Sequence, residues 1–280
     1  MKQATPEYEV YAIKYAWRDS TRKQNFLFAD PHDGPMPIDY YVWAIVNGER
    51  KIVVDIGFDA AEANTRGRQH LRYPAESLAQ IGIPPTDVKD VILTHLHYDH
   101  CGNLGHFPEA RFFLQDREMA FATGRNMLHD SLRQAYTVNH VQDLIAAVYD
   151  KRVVFIDNSA EIAPGVTVHH VGGHTDGLQI VRVRTRRGWI VIASDAAHFY
   201  ANMDIPNPYP ILYSVGDMLR GFDTIRLLAD SPTHIIPGHD PLVMDLFPAP
   251  SSNSEDLIRR LDAEPIDWPP RRITPAMPTI

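Results

Sequence analysis

Three histidines and an aspartate fall within six residues of this chain, directly after an apolar run. The segment reads Thr94-His95-Leu96-His97-Tyr98-Asp99-His100. The residues before it, Val88 to Leu93, predict a buried strand. Side chains at i and i+2 of an extended segment point the same way, so His95 and His97 can reach one metal ion together. Asp99 and His100 follow a turn of the chain and can face a second ion.

The number of potential ligands indicates two ions rather than one. A catalytic zinc ion usually has three protein ligands and one open position. Later stretches add candidates, each at the end of an apolar run: Gly172 to Gly177 around His174, Ile190 to Asp195, and Ile235 to His239. Asp195 ends a strand of buried character, where a carboxylate is costly unless it is paired or bound.

The expected ligands form two sets that share one carboxylate. The first set is His95, His97 and His174. The second set is Asp99, His100 and His239. We expect Asp195 to bridge the two ions. Zinc is the expected metal, and iron, cobalt and manganese suit the same ligands.

Other residues near these stretches have less specific patterns. Asp55 ends a strand as Asp195 does, which suits either a carboxylate that orients a metal-bound imidazole or a cap of the turn before Gly57. The histidines without a companion pattern are expected to be ordinary loop, helix or strand residues: His32, His70, His106, His129, His140, His169, His170 and His234.

The ordered ligands resemble the motif of the metallo-β-lactamase superfamily, His-x-His-x-Asp-His followed at long spacings by His, Asp and His. The resemblance covers roughly residues 8–247 and is greatest to the quorum-quenching N-acyl homoserine lactonases. The stretches that carry it are Pro37 to Trp43, Thr94 to Asn103, Gly173 to Gly177, Ala193 to Ala196, and Pro237 to Asp240.

The resemblance implies an α+β fold, a four-layer αβ/βα sandwich, as a single domain over residues 1–280. It also implies the two-metal ligand pattern and a hydrolase that opens a lactone ring. We expect two such ions to supply a metal-bridging hydroxide that would attack the carbonyl. From the residues beside the ligands, we expect His198 to donate a hydrogen bond to the oxyanion next to a metal, and Asp99 to protonate the leaving oxygen.

One position departs from the family pattern. The lactonases often have a tyrosine three residues after the bridging aspartate, beside the substrate carbonyl, where this chain has His198. A neutral imidazole can also donate a hydrogen bond to an oxyanion. The substitution leaves lactone hydrolysis open and makes the acyl homoserine lactone substrate the point to test.

The same ligands suit other reactions. Another lactone, a β-lactam, a thioester or a phosphotriester can each present a carbonyl or phosphoryl group to two metals. A di-iron redox protein is a further alternative, which we do not expect because superfamily relatives of that kind use a flavin domain and this chain ends too early for one.

Charge and hydropathy argue against nucleic acid and membrane partners, and the expected substrate is a small lactone-type molecule. The chain has 35 acidic and 27 basic residues and a net charge of −8, so we expect no nucleic acid partner. The run Arg184 to Arg187 predicts an exposed hairpin turn. No apolar run approaches the roughly 20 residues that span a bilayer, and Met1 to Trp17 lacks the pattern of a signal peptide. We expect a cytoplasmic protein with no membrane partner.

The only cysteine, Cys101, directly follows His100. It excludes an intrachain disulfide. Because the seven-ligand set is complete without a thiolate, we expect Cys101 to be a small buried residue rather than a zinc ligand.

Local patterns predict the elements around the motif. Strands are expected at 8–17, 40–46, 51–55, 88–93, 153–157, 166–171, 178–185 and 189–194. Helices are expected at 74–80, at 116–148 with two breaks, and at 216–230. Asn47-Gly48 suits a tight hairpin turn. Residues 20–43 predict a surface arm that packs across the twofold axis of a homodimer, and residues 264–280 a loosely held tail.

Apolar and aromatic side chains near the ligands are candidates for either a substrate pocket or the core. They are Tyr98, Phe107, Met127, Leu128, Phe199, Tyr200 and Tyr209.

Overall fold

A computed structural model describes residues 5–29, 31–48, 50–250, 257–266 and 268. In these residues the strands form two sheets. The first sheet contains β1 (Glu9–Arg18), β2 (Ile38–Asn47), β3 (Arg50–Val54), β4 (Gln69–His70), β5 (Asp90–Ile92), β6 (Arg111–Gln115), β7 (Val153–Ile156) and β13 (Ile258–Arg260). The second contains β8 (Ser159–Ala163), β9 (Val166–His170), β10 (Gln179–Thr185), β11 (Gly188–Ser194) and β12 (Ile235–Pro237).

The strand order of the first sheet is β13-β1-β2-β3-β5-β6-β7, with β4 paired to β1. The order of the second is β12-β11-β10-β9-β8. Hairpins build the antiparallel parts, and Gly48 supplies the left-handed backbone (φ 56°) of the predicted turn between β2 and β3. Strands β3, β5, β6 and β7 are parallel, because helices connect them.

The helices of the described residues are α1 (Ala60–Arg66), α2 (Pro74–Gln80), α3 (Tyr98–Cys101), α4 (Asp116–Thr123), α5 (Asp130–Arg133), α6 (Val138–Tyr149), α7 (Tyr200–Asp204), α8 (Val215–Leu228) and α9 (Leu242–Leu246). Side chains at their ends fix several of them. The Asp59 carboxylate accepts from the Glu62 N–H at the start of α1, and the Ser214 hydroxyl does the same for Asp217 in α8.

Two apolar clusters hold these layers together. One lies between the sheets and joins Trp43 and Ile45 of β2 to Val168 and Val181 of the second sheet. The other lies on the opposite face of the first sheet, where Leu144 of α6 packs with residues such as Val53, Phe112 and Leu78. Helix α8 covers the second sheet beside β11. The predicted α+β sandwich is therefore confirmed.

Several local predictions need correction or lie outside the described residues. The arm at 20–43 is not wholly superficial, because Asn25 and Phe26 are buried and Leu27 donates to the Pro208 carbonyl of the same chain. The Arg187 side chain is only 2% exposed and donates to the Leu261 and Thr233 carbonyls, so the exposed-turn prediction is wrong for it. Most of the predicted tail lies outside the described residues. The single-domain and homodimer interpretations stay predictions.

Local signals were too weak to predict several elements, among them α1, α3, α7, α9, β4, β6, β8 and β13. Among the described residues, no helix is long and apolar enough to span a membrane.

Candidate metal centre

Strand ends from both sheets carry the expected ligands to one place. His95 and His97 follow β5, and Asp99 and His100 lie in the single turn of α3. The other three residues follow strands of the second sheet: His174 after β9, Asp195 after β11 and His239 after β12. All seven are buried.

The ligand atoms form two adjoining groups. His95, His97, His174 and Asp195 offer atoms that all lie within 4.8 Å of one another, and Asp99, His100 and His239 do the same. The Asp195 carboxylate lies between the groups. Its Oδ2 is 3.0 Å from His174 Nε2, and its Oδ1 is 3.2 Å from His100 Nε2 and 3.0 Å from His239 Nε2.

These residues fit a pair of cations. The Nε2 atoms of His95 and His100 are buried without a hydrogen-bond partner among the described residues, an arrangement that costs free energy unless something binds them. Burial and the neighbouring imidazoles lower the pKa of His95 and of His97. Their neutral rings therefore carry the lone pair that a metal needs.

His100 has the opposite electrostatic environment. Burial alone would lower its pKa, but the carboxylates of Asp195, Asp99 and Asp55 outweigh burial and raise it. Its Nδ1 lies 2.8 Å from Asp55 Oδ2. This contact fixes the ring so that Nε2 faces Asp195 and Asp99.

Asp55 therefore does more than cap a turn. Its carboxylate also accepts from the backbone N–H of Thr94 at 2.7 Å and from the Thr94 hydroxyl at 2.8 Å. The Thr94 hydroxyl lies 2.9 Å from that of Ser194, directly before Asp195. Asp55 (φ 58°) and Ser194 (φ 46°) both have left-handed backbone, a conformation that costs free energy away from glycine.

A buried glutamate supports the first group without contacting it. Glu118, in the first turn of α4, accepts from the N–H of Leu96 (2.9 Å) and of Gly177 (3.1 Å). It also accepts from the hydroxyls of Thr175 (2.6 Å) and Tyr136 (3.0 Å). The carboxylate thus ties the loop of His95 and His97 to the loop of His174. Sequence reasoning missed Glu118, because no local pattern separates it from other acidic residues in a first helical turn.

The sequence model of the metallo-beta-lactamase superfamily matches residues 36–266. This chain belongs to the metallo-β-lactamase superfamily. The superfamily predicted from the motif is thus confirmed.

Superfamily relatives include N-acyl homoserine lactonase AiiB of Agrobacterium fabrum, 31% identical over 176 residues, which are 59% of this chain and 61% of that protein. AttM of Azorhizobium caulinodans, also an N-acyl homoserine lactonase, is 28% identical over 232 residues, which are 75% of this chain and 84% of that protein. The match to AiiB thus spans less than two thirds of that relative.

One solved structure is similar in fold to this chain. It is an N-acyl homoserine lactone hydrolase with N-hexanoyl-L-homoserine bound at its catalytic metal centre. The TM-score is 0.68 at 20% identity, over 84% of this chain and 94% of that one. At this identity the likeness concerns the fold alone.

His198 lies three residues after Asp195 and is buried. Its Nε2 is 3.1 Å from Asp195 Oδ2, and its ring stacks on Tyr209 with centroids 3.8 Å apart and planes 8° apart. Burial lowers the pKa of His198 to about 3, so the imidazole is neutral at pH 7. The Tyr209 hydroxyl accepts from Arg18 at 3.1 Å.

A cavity of about 130 Å³ opens over the ligands. Besides ligands and His198, its lining includes residues that sequence reasoning did not select: Arg18, Ile38, Tyr40, Arg66, Arg68, Gln134, Ala135 and Ile211. These come from distant parts of the chain, so only the folded structure brings them together.

The residues that the sequence suggested for a substrate pocket lie in different parts of the structure. Tyr98 and Tyr209 line this cavity. Phe107 is wholly buried in the core, and Leu128 is 79% exposed. Phe199 and Tyr200 line a larger cavity of about 670 Å³ that contains none of the seven ligands, and Met127 lines neither.

Cys101 lies beside the centre but outside both ligand groups. Its thiol is buried and lies 3.4 Å from the carbonyls of Leu96 and His97. Burial holds its pKa well above the usual value. A protonated thiol with backbone partners fits the structural role expected for it.

Proposed function

We propose that this protein is a metal-dependent hydrolase that opens lactone rings, with N-acyl homoserine lactones as the first substrate class to test. The observation that carries the proposal is the pair of buried ligand groups joined by Asp195 at the floor of a cavity. The curated relatives named N-acyl homoserine lactonases support the substrate class.

We assign His95, His97 and His174 to one cation, and Asp99, His100 and His239 to the other, with Asp195 shared. When bound, two such cations supply an activated water at neutral pH and polarise the scissile carbonyl. We propose zinc, because five imidazoles and two carboxylates suit it.

The side chains around the ligands have separate tasks in this proposal. His198 donates a hydrogen bond to the carbonyl oxygen as negative charge develops there. Its stack on Tyr209 holds the ring plane during the reaction. Asp99 lines the cavity, takes up the proton that the attacking water loses and passes it to the ring oxygen that leaves.

We also propose a cytoplasmic homodimer. The single cysteine suits a reducing compartment. Phe28 in the arm is 58% exposed and offers apolar surface for a second copy. Light scattering that gives the monomer mass of 31.7 kDa would contradict the dimer.

The test of the reaction uses metal-loaded protein and a substrate panel. The panel contains N-acyl homoserine lactones of short and long acyl chain, simple γ- and δ-lactones, a β-lactam, a thioester and a phosphotriester. Release of acid from each compound is followed with and without a chelator. For the phosphotriester, the acid is the phosphodiester product. We expect chelator-sensitive opening of the lactones above all other substrates. A faster reaction with another panel member would overturn the lactonase proposal and keep the hydrolase.

A further inference from the structure

Two arginines line the cavity next to the candidate metal centre. Arg18 ends β1, and Arg68 lies between α1 and β4. Neither forms an ion pair with a carboxylate of the described residues, unlike Arg66 and Arg260, which pair with Glu62 and Asp262. Both positions lie far from the ligands in sequence and reach them only through the fold.

Each arginine is held in place by a cavity tyrosine. Arg18 Nη2 donates to the Tyr209 hydroxyl at 3.1 Å, and Arg68 Nε donates to the Tyr98 hydroxyl at 3.0 Å. Each guanidinium makes one further bond, to the carbonyls of Asp19 and Arg66 respectively. A guanidinium has five N–H donors, so each retains donors for a ligand.

Arg18 has a donor that requires a partner. Its Nε is buried and makes no hydrogen bond with the described residues. A buried charged donor without a partner costs free energy, and an acceptor bound in the cavity would remove that cost. Arg66, the third arginine of the lining, differs because its donors already have partners. It donates to the Glu62 carboxylate and to three acceptors between residues 134 and 137.

The charge of the cavity is at odds with a neutral substrate. The chain as a whole carries −8, yet its cavity presents two guanidinium groups without carboxylate partners beside a centre built for cations. An anion is what such a surface attracts, and guanidinium binds carboxylate in a bidentate manner. The volume of about 130 Å³ is also below the range of roughly 300–1,000 Å³ that is usual for larger ligands.

We propose that Arg18 and Arg68 form an anion-binding subsite, and that the preferred substrates are small lactones that carry a carboxylate. This inference rests on the lactone-opening function proposed above. Tyr209 and Tyr98 position the two guanidinium groups so that the anionic group of the substrate lies on one side and its scissile carbonyl faces His198 and the metal ligands.

The test compares two lactones of equal size that differ in charge. One is 5-oxotetrahydrofuran-2-carboxylate, and the other is its neutral carboxamide. With metal-loaded protein we expect kcat/KM for the carboxylate to exceed that for the carboxamide by about tenfold or more, as loss of a charge-assisted hydrogen bond implies. Equal values for the two lactones would overturn the proposal.

Variants assign the preference to the arginines. Arg18→Gln and Arg68→Gln should each raise KM for the carboxylate about tenfold and leave the carboxamide within about twofold. Arg111→Gln is the matched control, because Arg111 is exposed and pairs with Asp90 at the start of β5. If the cavity variants lose both lactones equally, the arginines support the fold rather than bind an anion.

A binding measurement separates this proposal from the lactonase proposal. If neither lactone opens, the reaction proposed above fails, and calorimetry tests the subsite alone. The ring-opened dicarboxylate, 2-hydroxyglutarate, should bind the metal-loaded protein more tightly than 4-hydroxybutyrate, which lacks the second carboxylate. The Arg18→Gln/Arg68→Gln double variant should abolish that difference. No difference in the unmodified protein would overturn the subsite.

Discussion

The two ligand groups are supported in different ways. In the second group, the Nδ1 atoms of His100 and His239 contact the Asp55 carboxylate (2.8 Å) and the Asp39 carbonyl (2.7 Å). In the first group, the support of His97 and His174 comes through their backbone loops, which Glu118 joins. Direct contacts fix the tautomer and orientation of each ring, whereas loop contacts fix the position of the chain that carries it. Substitutions that remove a direct contact and substitutions that remove a loop contact should therefore differ in their effects on activity and metal affinity.

The largest effect is expected where the groups meet. Asp195→Asn keeps the shape of the side chain but removes the charge that both groups share. We expect a loss of roughly a thousandfold or more in kcat/KM, because metal-assisted attack requires both ions. Metal analysis of the purified variant should show loss from both groups. Retention of two metals and full activity would refute the shared-ligand assignment.

The next effect tests the direct support of the second group. Asp55→Asn removes the charge that orients His100, and asparagine tolerates the left-handed backbone at this position. We expect activity or metal affinity to fall about 10–100-fold.

Double variants show which group Asp55 supports. Adding His239→Ala to Asp55→Asn should lower the metal content little further, because both changes act on one group. Adding His97→Ala should remove the remaining metal. The reverse pattern would mean that Asp55 acts mainly on the first group.

A smaller effect tests the loop support of the first group. Glu118→Gln replaces an oxygen that accepts hydrogen bonds by an amide N–H₂ that cannot accept them. We expect metal affinity of the first group to fall roughly tenfold, together with a lower Tm. Glu109→Gln is the control, since the Glu109 side chain is 60% exposed and pairs with Lys89 on the surface. If Tm falls and both metals stay bound as tightly as before, Glu118 supports the fold but not the site.

The smallest effect concerns the His198 stack, which belongs to neither group. Tyr209→Phe keeps the ring contact of 3.8 Å and loses only the hydroxyl. We expect kcat for a neutral lactone to change less than about threefold, whereas Tyr209→Ala should lower it up to about tenfold, as the strength of aromatic pairs suggests. Equal losses in the two variants would show that the hydroxyl, not the stack, matters.

Local pattern was enough to select the residues that the fold gathers at the candidate metal centre. His95, His97, Asp99 and His100 form a cluster in sequence, and His174, Asp195 and His239 each follow an apolar run. The fold could be predicted for the same reason, since the order of these ligands resembles that of one superfamily. The boundaries of β9, β10, β11 and α8 agree with the predicted ranges to within a few residues.

The residues around the ligands could not be predicted in the same way. Glu118 acts through four hydrogen bonds to three separate segments, and Arg18 and Arg68 reach the cavity from the first sheet and from a loop. None belongs to a local motif, because each role depends on which distant segments pack together. The arm was misjudged for a related reason, since the burial of Phe26 depends on the chain near Pro208.

The candidate ligands follow strands of both sheets, so they leave the ribosome at widely separated times. His174 follows His97 by 77 residues, and His239 follows Asp195 by 44. At roughly 5–20 residues per second on the ribosome, the first interval alone takes roughly 4–15 s. During that time His95 and His97 have emerged without the rest of their set. Neither ligand group can be complete before residues of the second sheet are synthesised, since the first requires His174 and Asp195 and the second requires His239.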